Sequence, residues 1–471
     1  MRITTRARCR TASSSRVIRA SSACASGWIS DMTAHPDTLA VTTQSRVDSG
    51  RRADYLALAL MYVAQGLPIG LAYNALAVLI RAGGHDVATV GYTGLAFVPW
   101  ALKFLWAPAI DNVSERVGLR RVLWTTQIAI VVVCAALVPF PPAVSLPVSL
   151  TLVVAMNALC ATQDIVTNAY AVRRMQGRAA GAANAIQVAG FIVGMLAGGG
   201  GLLVLSARTG WTFAMATFAI VMALIYVPLL FIDTGFAKPG ARESGATERG
   251  APPRVRLRDV VRGRDFGWAM LLASTFKLAS TAVSTLVQPW LLDRGLSLDD
   301  IGRLQMSNLC FVALGAVALG IPLVRRFGCR RAVLTGMAGA GVLLGAAWLL
   351  ETQHLFSRLH CYVAFAVQSL FEGAMYVAIW ATLMNWASPE RPGADFTAMQ
   401  CCESVGNAMA AGAIGAAVAV LGYGAAFAGA WGLAVLVWIA AFVSLRKIRL
   451  HESAGSPDPA RADASARSGT T

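Results

Sequence analysis

The chain has 471 residues, 56% hydrophobic and 14% charged, with a formal net charge of +16. Soluble domains carry about 25% charged residues, so the composition excludes an ordinary soluble protein and calls for one that crosses a membrane many times. The positive charge does not mark a nucleic-acid binder, because the basic residues fall in alternate loops and form no continuous patch.

Residues 1–53 are rich in Arg, Ser and Thr and hold no apolar run long enough for a span or a secretory signal. They read as a disordered basic N-terminal tail, inside which Met32 is a second candidate start beside Met1. Apolar windows then recur at 54–80, 88–110, 122–142, 148–172, 181–206 and 211–232. A second series follows at 267–292, 301–324, 331–350, 359–386, 396–420 and 423–445. Each window has the roughly 20 residues that a membrane helix needs. The expected organisation is a six-helix bundle at 54–232, a cytoplasmic linker at 233–266, a second six-helix bundle at 267–446 and a disordered tail at 447–471.

Lys and Arg set the orientation. Arg116, Arg120 and Arg121 follow span 2, Arg173, Arg174 and Arg178 follow span 4, and Arg325, Arg326, Arg330 and Arg331 follow span 8. The linker and the stretch after span 12, with Arg446, Lys447 and Arg449, are basic too. Positive loops stay inside, so both termini are expected in the cytoplasm.

The two halves echo each other. Arg116-Val117-Gly118-Leu119-Arg120-Arg121 after span 2 repeats as Arg326-Phe327-Gly328-Cys329-Arg330-Arg331 after span 8. Asp164 of span 4 has a counterpart in Glu372 of span 10, and Gln187 of span 5 one in Gln400 of span 11. Parallel six-span repeats with a basic, Gly-containing loop after the second helix point to an all-α major facilitator fold, two six-helix bundles related by pseudo-two-fold symmetry.

Five charges interrupt the spans: Lys103, Asp164, Lys277, Glu372 and Glu403. A charge at mid-membrane costs about 2.5–3.5 kcal/mol on insertion scales, so such residues line a polar pathway or pair with one another. The signs nearly balance, and a silent interhelical ion pair competes with a transport role for each. At about 100° per residue, Ser274, Lys277, Thr281, Ser284 and Gln288 share a face of span 7, and Gln400, Glu403 and Asn407 share one of span 11. Tyr62, Gln65 and Tyr73 of span 1 and Glu372, Tyr376 and Trp380 of span 10 line up in the same way, whereas Gln163, Asp164, Thr167 and Asn168 of span 4 cover a broader arc. The candidate substrate and proton pathway is Gln65, Lys103, Gln163, Asp164, Asn168, Lys277, Glu372, Tyr376, Gln400 and Glu403. Asp111, Arg116, Gly118, Arg120 and Arg121 form a candidate gating loop, the acid pairing with the arginines and with a helix N-terminus in one conformation. The Gly runs 197–201 and 412–415 are expected to allow close helix packing.

The nine cysteines show no metal-ligand spacing, so no metal site and no cofactor are expected. There is no nucleophile triad, HExxH or P-loop, and no sign of a folded soluble domain, which disfavours an enzyme, a pump driven by ATP and a membrane sensor.

Leu102-Lys103-Phe104-Leu105-Trp106-Ala107-Pro108 with Asp111, then Gln163-Asp164-Ile165-Val166, Phe276-Lys277-Leu278 and Phe371-Glu372, resemble the AmpG-like (muropeptide permease) branch of the major facilitator superfamily. Tyr62-Val63-Ala64-Gln65-Gly66-Leu67-Pro68, Pro99-Trp100-Ala101-Leu102-Lys103 and Ala394-Asp395-Phe396-Thr397 look closer to siderophore importers of the RhtX/FptX type. The resemblance implies proton-driven uptake of a small molecule across a bacterial inner membrane by a multi-pass protein acting as a monomer. Asn168, Ser280 and Asn112 depart from the pattern, standing where an acid, an acid and an Arg are usual. The first two make the cavity less negative than in muropeptide permeases. The expected cargo is therefore a ferric siderophore held by Lys103 and Lys277, with a muropeptide as the alternative. Asp164 or Glu372 is the expected proton carrier, with Glu403 next.

Overall fold

The structure is a computed structural model that describes residues 36–85, 91–232, 254–263, 265–352 and 357–450. Most of the expected N-terminal tail with Met32, residues 233–253 and Arg264 of the linker, and the C-terminal tail from His451 lie outside the described residues. Every regular element among the described residues is helical.

In the unit that begins at Ala53, the first seven spans are α1 (53–82), α2 (Tyr92–Leu105 with Ala107–Val117), α3 (Leu119–Leu137), α4 (Leu146–Met175), α5 (Ala180–Thr209), α6 (Trp211–Phe231) and α7 (Phe266–Asp293). Asp300–Thr352 and Pro392–Lys447 are 53 and 56 residues long, about twice what a bilayer requires. Each is interrupted by one glycine of positive φ, Gly328 (φ 74°, ψ 164°) and Gly422 (φ 74°, ψ 171°). They are therefore α8 (300–327), α9 (329–352), α11 (392–421) and α12 (423–447), with α10 (Arg358–Trp386) between them.

The same backbone geometry recurs at Gly118 (φ 91°, ψ 136°) between α2 and α3 and at Gly210 (φ 82°, ψ 166°) between α5 and α6. Four short turns thus occupy matching places in the two halves. A residue with a Cβ is strained in this region of backbone space, so glycine is what lets one span turn directly into the next.

Expected boundaries shift in two places. Span 2 was expected as one stretch over 88–110, but it breaks at Lys103–Trp106, its two parts meet at 65°, and it continues to Val117. Pro108, which has no N–H to give and whose ring crowds the preceding turn, accounts for the break. Span 3 is displaced towards the N-terminus, 119–137 instead of 122–142.

Glycines let backbones pack closely between α1 and α5, and likewise between α8 and α10 (Gly315, Gly373) and between α7 and α11 (Gly406). A Cβ at Gly194 would strike the carbonyl oxygen of Val63, and one at Gly198 that of Leu67. Helical backbones come this near only where side chains are absent. The second Gly run departs from expectation: Gly412 and Gly415 face open space.

Burial is graded along the bundle. On α11, Pro392–Met399 are all buried, whereas Ser404, Val405, Met409 and Gly412 are exposed. On α10, Gly373–Met375 and Val377–Trp386 are buried, whereas Arg358, Leu359 and His360 are exposed. The two halves therefore meet at the end carrying the Arg-rich loops. There Gln176 at the end of α4 donates to the carbonyls of Met384 (2.8 Å) and Ala387 (2.9 Å), and the N–H of Gly177 donates to Asn385 (2.6 Å). At the other end, among the described residues, Trp290 and Arg294 bond to Glu351 and Tyr423 bonds to Asp293 (2.6 Å), contacts inside the second half.

Candidate transport site

Both central lysines sit where a helix is broken. Lys103 starts the irregular turn of α2, and Lys277 lies at a break in α7, ahead of the helical segment Leu278–Asp293. A break frees the backbone from the helical register and lets a long side chain reach sideways.

Lys103 is 3% exposed and pairs with the carboxylate of Asp164 on α4, itself 3% exposed. Its ammonium lies 4.9 Å from the centre of the Trp100 ring and donates to Oε1 of Gln400 on α11 at 2.6 Å. Asn168, fully buried, donates from Nδ2 to Asp164 (2.9 Å) and to the same Gln400 oxygen (3.1 Å), and accepts from the hydroxyl of Tyr62 (3.1 Å). Gln65 donates to Thr167 at 2.9 Å. This network ties α1, α2 and α4 to α11. The burial cost of each charge is offset by its partner, and removing either partner leaves the other uncompensated.

The second half holds a different arrangement. Lys277 lies 4.7 Å from the centre of the Tyr376 ring, a cation–π contact that needs no carboxylate. The Tyr376 hydroxyl donates to Glu403 at 2.8 Å, Asn407 donates to Glu403 at 3.4 Å, and Thr281 donates to Asn407 at 2.9 Å. Glu372, one turn before Tyr376, accepts from Gln368 at 3.0 Å.

One of the ten pathway residues stands apart. Gln163 is buried and accepts from Tyr226 of α6 at 2.9 Å, so it packs within the first half and does not join the Lys103 network. Ser284 and Gln288, grouped with Lys277 by helical spacing, are exposed.

Asp111 accepts from the N–H groups of Gly393 (3.2 Å) and Ala394 (2.8 Å), the first turn of α11. The arginines of its loop lie elsewhere. Arg120 donates to the carbonyl of Leu230 at 2.9 Å and covers the Trp124 ring, and Arg116 and Arg121 are exposed. The acid that pairs with an arginine here is Glu115, with Arg173.

Sequence reasoning passed over Gln176 and Asn385, which join α4 to α10. They are uncharged residues at span ends, with no periodic signal to mark them. Asn112, noted only as a departure, holds the linker by both ends of its amide: Nδ2 donates to the Val255 carbonyl (2.8 Å), and Oδ1 accepts from the Val255 N–H (2.9 Å).

Residues 58–356 match the family model described as Major Facilitator Superfamily. The chain belongs to the Major Facilitator Superfamily. Its relatives in that superfamily include the anhydromuropeptide permease of Escherichia coli K12, 27% identical over 363 residues, covering 74% of this chain and 71% of the permease. A Rickettsia conorii protein called putative transporter AmpG 4 is 28% identical over 158 residues, 32% of this chain and 38% of the relative. The superfamily fold recurs in the solved structure of the E. coli fucose:proton symporter, with a TM-score of 0.61 at 14% identity over 83% of this chain and 97% of the symporter. The proton:xylose symporter gives 0.60 at 13% identity over 87% and 97%. The solved structures share the fold, the family model makes the chain a member of a superfamily of secondary transporters, and the likeness to the permease is a likeness to the AmpG-like branch.

Proposed function

We propose that the protein is a proton-coupled importer of a bulky, amide-rich cell-wall fragment of the muropeptide type, working by alternating access in a bacterial inner membrane. The observation that carries this reading is the Lys103–Asp164–Asn168 cluster bonded to Gln400, a buried polar bridge between the two halves at mid-span. The likeness to the anhydromuropeptide permease of E. coli supports the cargo class. With the Arg-rich loops in the cytoplasm by the positive-inside rule, the closed end faces inward and the open end faces outward, towards the source of an imported solute.

The siderophore expectation rested on two cationic donors. Lys103 is compensated by Asp164, which leaves Lys277 as the remaining anion contact and weakens the case for a phenolate ligand. For coupling, Glu403 takes precedence over Asp164, because its partners are a phenol and an amide and not a fixed cation.

The test is uptake of radiolabelled anhydromuropeptide and of a ferric siderophore into membrane vesicles with an imposed proton gradient. Accumulation of the muropeptide that collapses with a protonophore is expected. Accumulation of the siderophore alone would replace the cargo. Reporter fusions after Arg264 and Leu450 should read cytoplasmic, and a periplasmic signal at either would reverse the assigned direction.

A further inference from the structure

Two donors from one half, the Lys103 ammonium and the Asn168 amide, converge on a single carbonyl oxygen contributed by the other half, Oε1 of Gln400. Lys103 and Asp164 are 3% exposed, Asn168 is fully buried, and Gln400 is partly exposed. Gln400 also stands at the boundary on α11 between the buried turns 392–399 and the exposed turns beyond. A ligand oxygen that approaches the two donors competes with Gln400 Oε1, which already occupies both.

We infer that Gln400 is a built-in stand-in for the substrate: an amide carbonyl oxygen of the ligand displaces Gln400 Oε1 from Lys103 and Asn168. The identity of the stand-in argues for the ligand class. The Lys103 charge is already matched by Asp164, so the position accepts a neutral oxygen. A carboxylate there would add an uncompensated negative charge at a site closed to water, which is costly. An amide carbonyl has the size, polarity and zero charge of the group it replaces. Acetamido sugars and peptides both offer one.

The displacement has a mechanical consequence. Gln400 bonds α11 to α2 and α4, so a ligand that takes its place releases a tie between the halves at the moment the site fills. Substrate binding and release of the closed end are thereby linked through one side chain. This inference deepens the proposed function and rests on it for the cargo, but not for the displacement.

The test is equilibrium binding of tritiated anhydromuropeptide to the purified full-length protein in nanodiscs, with the parent, Gln400→Leu and Gln400→Glu. Gln400→Leu removes the competing oxygen and leaves both donors for the ligand, so Kd should fall several-fold. Gln400→Glu keeps the shape and an acceptor oxygen at the same place, so the ligand still has to displace it and Kd should stay within about twofold of the parent. Competition by the peptide-free acetamido disaccharide and by the free peptide shows which amide is used: the one whose competition strengthens in Gln400→Leu and not in Gln400→Glu. Shifts of the same sign in both variants, or none in either, overturn the displacement. A ferric siderophore is run in parallel. If it binds the parent and the muropeptide does not, the cargo reading fails, and the displacement is judged by the same two variants with that ligand.

Discussion

The carboxylate of Asp111 and the backbone N–H of Ala394 lie 2.8 Å apart, joining the end of α2 in one half to the first turn of α11 in the other. Gly393 donates to the same carboxylate at 3.2 Å. A negative group on unsatisfied N–H donors at a helix start is worth up to about 2 kcal/mol in partly buried geometry. Substitution by Ala should therefore shift the balance between closed and open forms of the Arg-rich end by up to roughly 30-fold. Gly393→Ala should act in the same direction, because a Cβ there would lie 2.5 Å from Asp111 Oδ1. The check is alkylation of a cysteine placed at Ala387, fully buried in this form, which should react faster in both variants.

The Lys103–Asp164 pair makes a sharper prediction about stability. Lys103→Met or Asp164→Leu alone leaves one buried charge unpaired, at a cost of about 3–5 kcal/mol. The double variant should recover much of the lost thermal stability, since replacing a buried ion pair by apolar groups is often nearly neutral. It should not recover transport. Melting of the detergent-purified proteins, with uptake measured in parallel, tests both halves of the statement. Stability that adds across the two sites would mean the pair is not coupled.

Much of this architecture was legible in the sequence because the bilayer enforces simple rules. Span number, the repeated Gly-Arg-Arg loops and the central position of Lys103 and Asp164 follow from hydropathy, charge and internal repetition. The break in α2 was present as Pro108 but invisible to a hydropathy window, which averages over it. Helical spacing could give Gln163 and Asp164 only a broad arc, because adjacent residues point about 100° apart, and the structure turns Gln163 to Tyr226. Gln176 and Asn385 were silent, because a neutral amide at a span end carries no pattern until its partner is known.

The Lys277–Tyr376–Glu403 chain separates coupling from binding. Glu403→Gln keeps the size of the side chain and an acceptor for Tyr376 but cannot exchange a proton. Concentrative uptake should fall at least tenfold, while exchange of labelled for unlabelled substrate across vesicles without a gradient should persist. Tyr376→Phe removes the bond to Glu403 and leaves the ring beneath Lys277, so it should give a smaller loss of the same kind. Equal loss of exchange and accumulation in Glu403→Gln would make this acid part of the binding site.

Gly194 of α5, just ahead of the first glycine run, and Gly412 of the second should respond differently to substitution. Gly194 packs against the backbone of α1, and a Cβ there meets the Val63 carbonyl and the Cα of Gly66. Neither neighbour can yield as a flexible side chain would, so Gly194→Val should cost about 1–3 kcal/mol or more by overpacking. Gly412 has nothing near its missing Cβ, and on a lipid-facing or open helical surface an added side chain strains nothing. Gly412→Val should therefore melt within about 0.5 kcal/mol of the parent, as surface substitutions do. Parallel thermal unfolding of the two variants checks the contrast, and equal destabilisation would show that α11 closes against a neighbour at Gly412 in the form that dominates in solution.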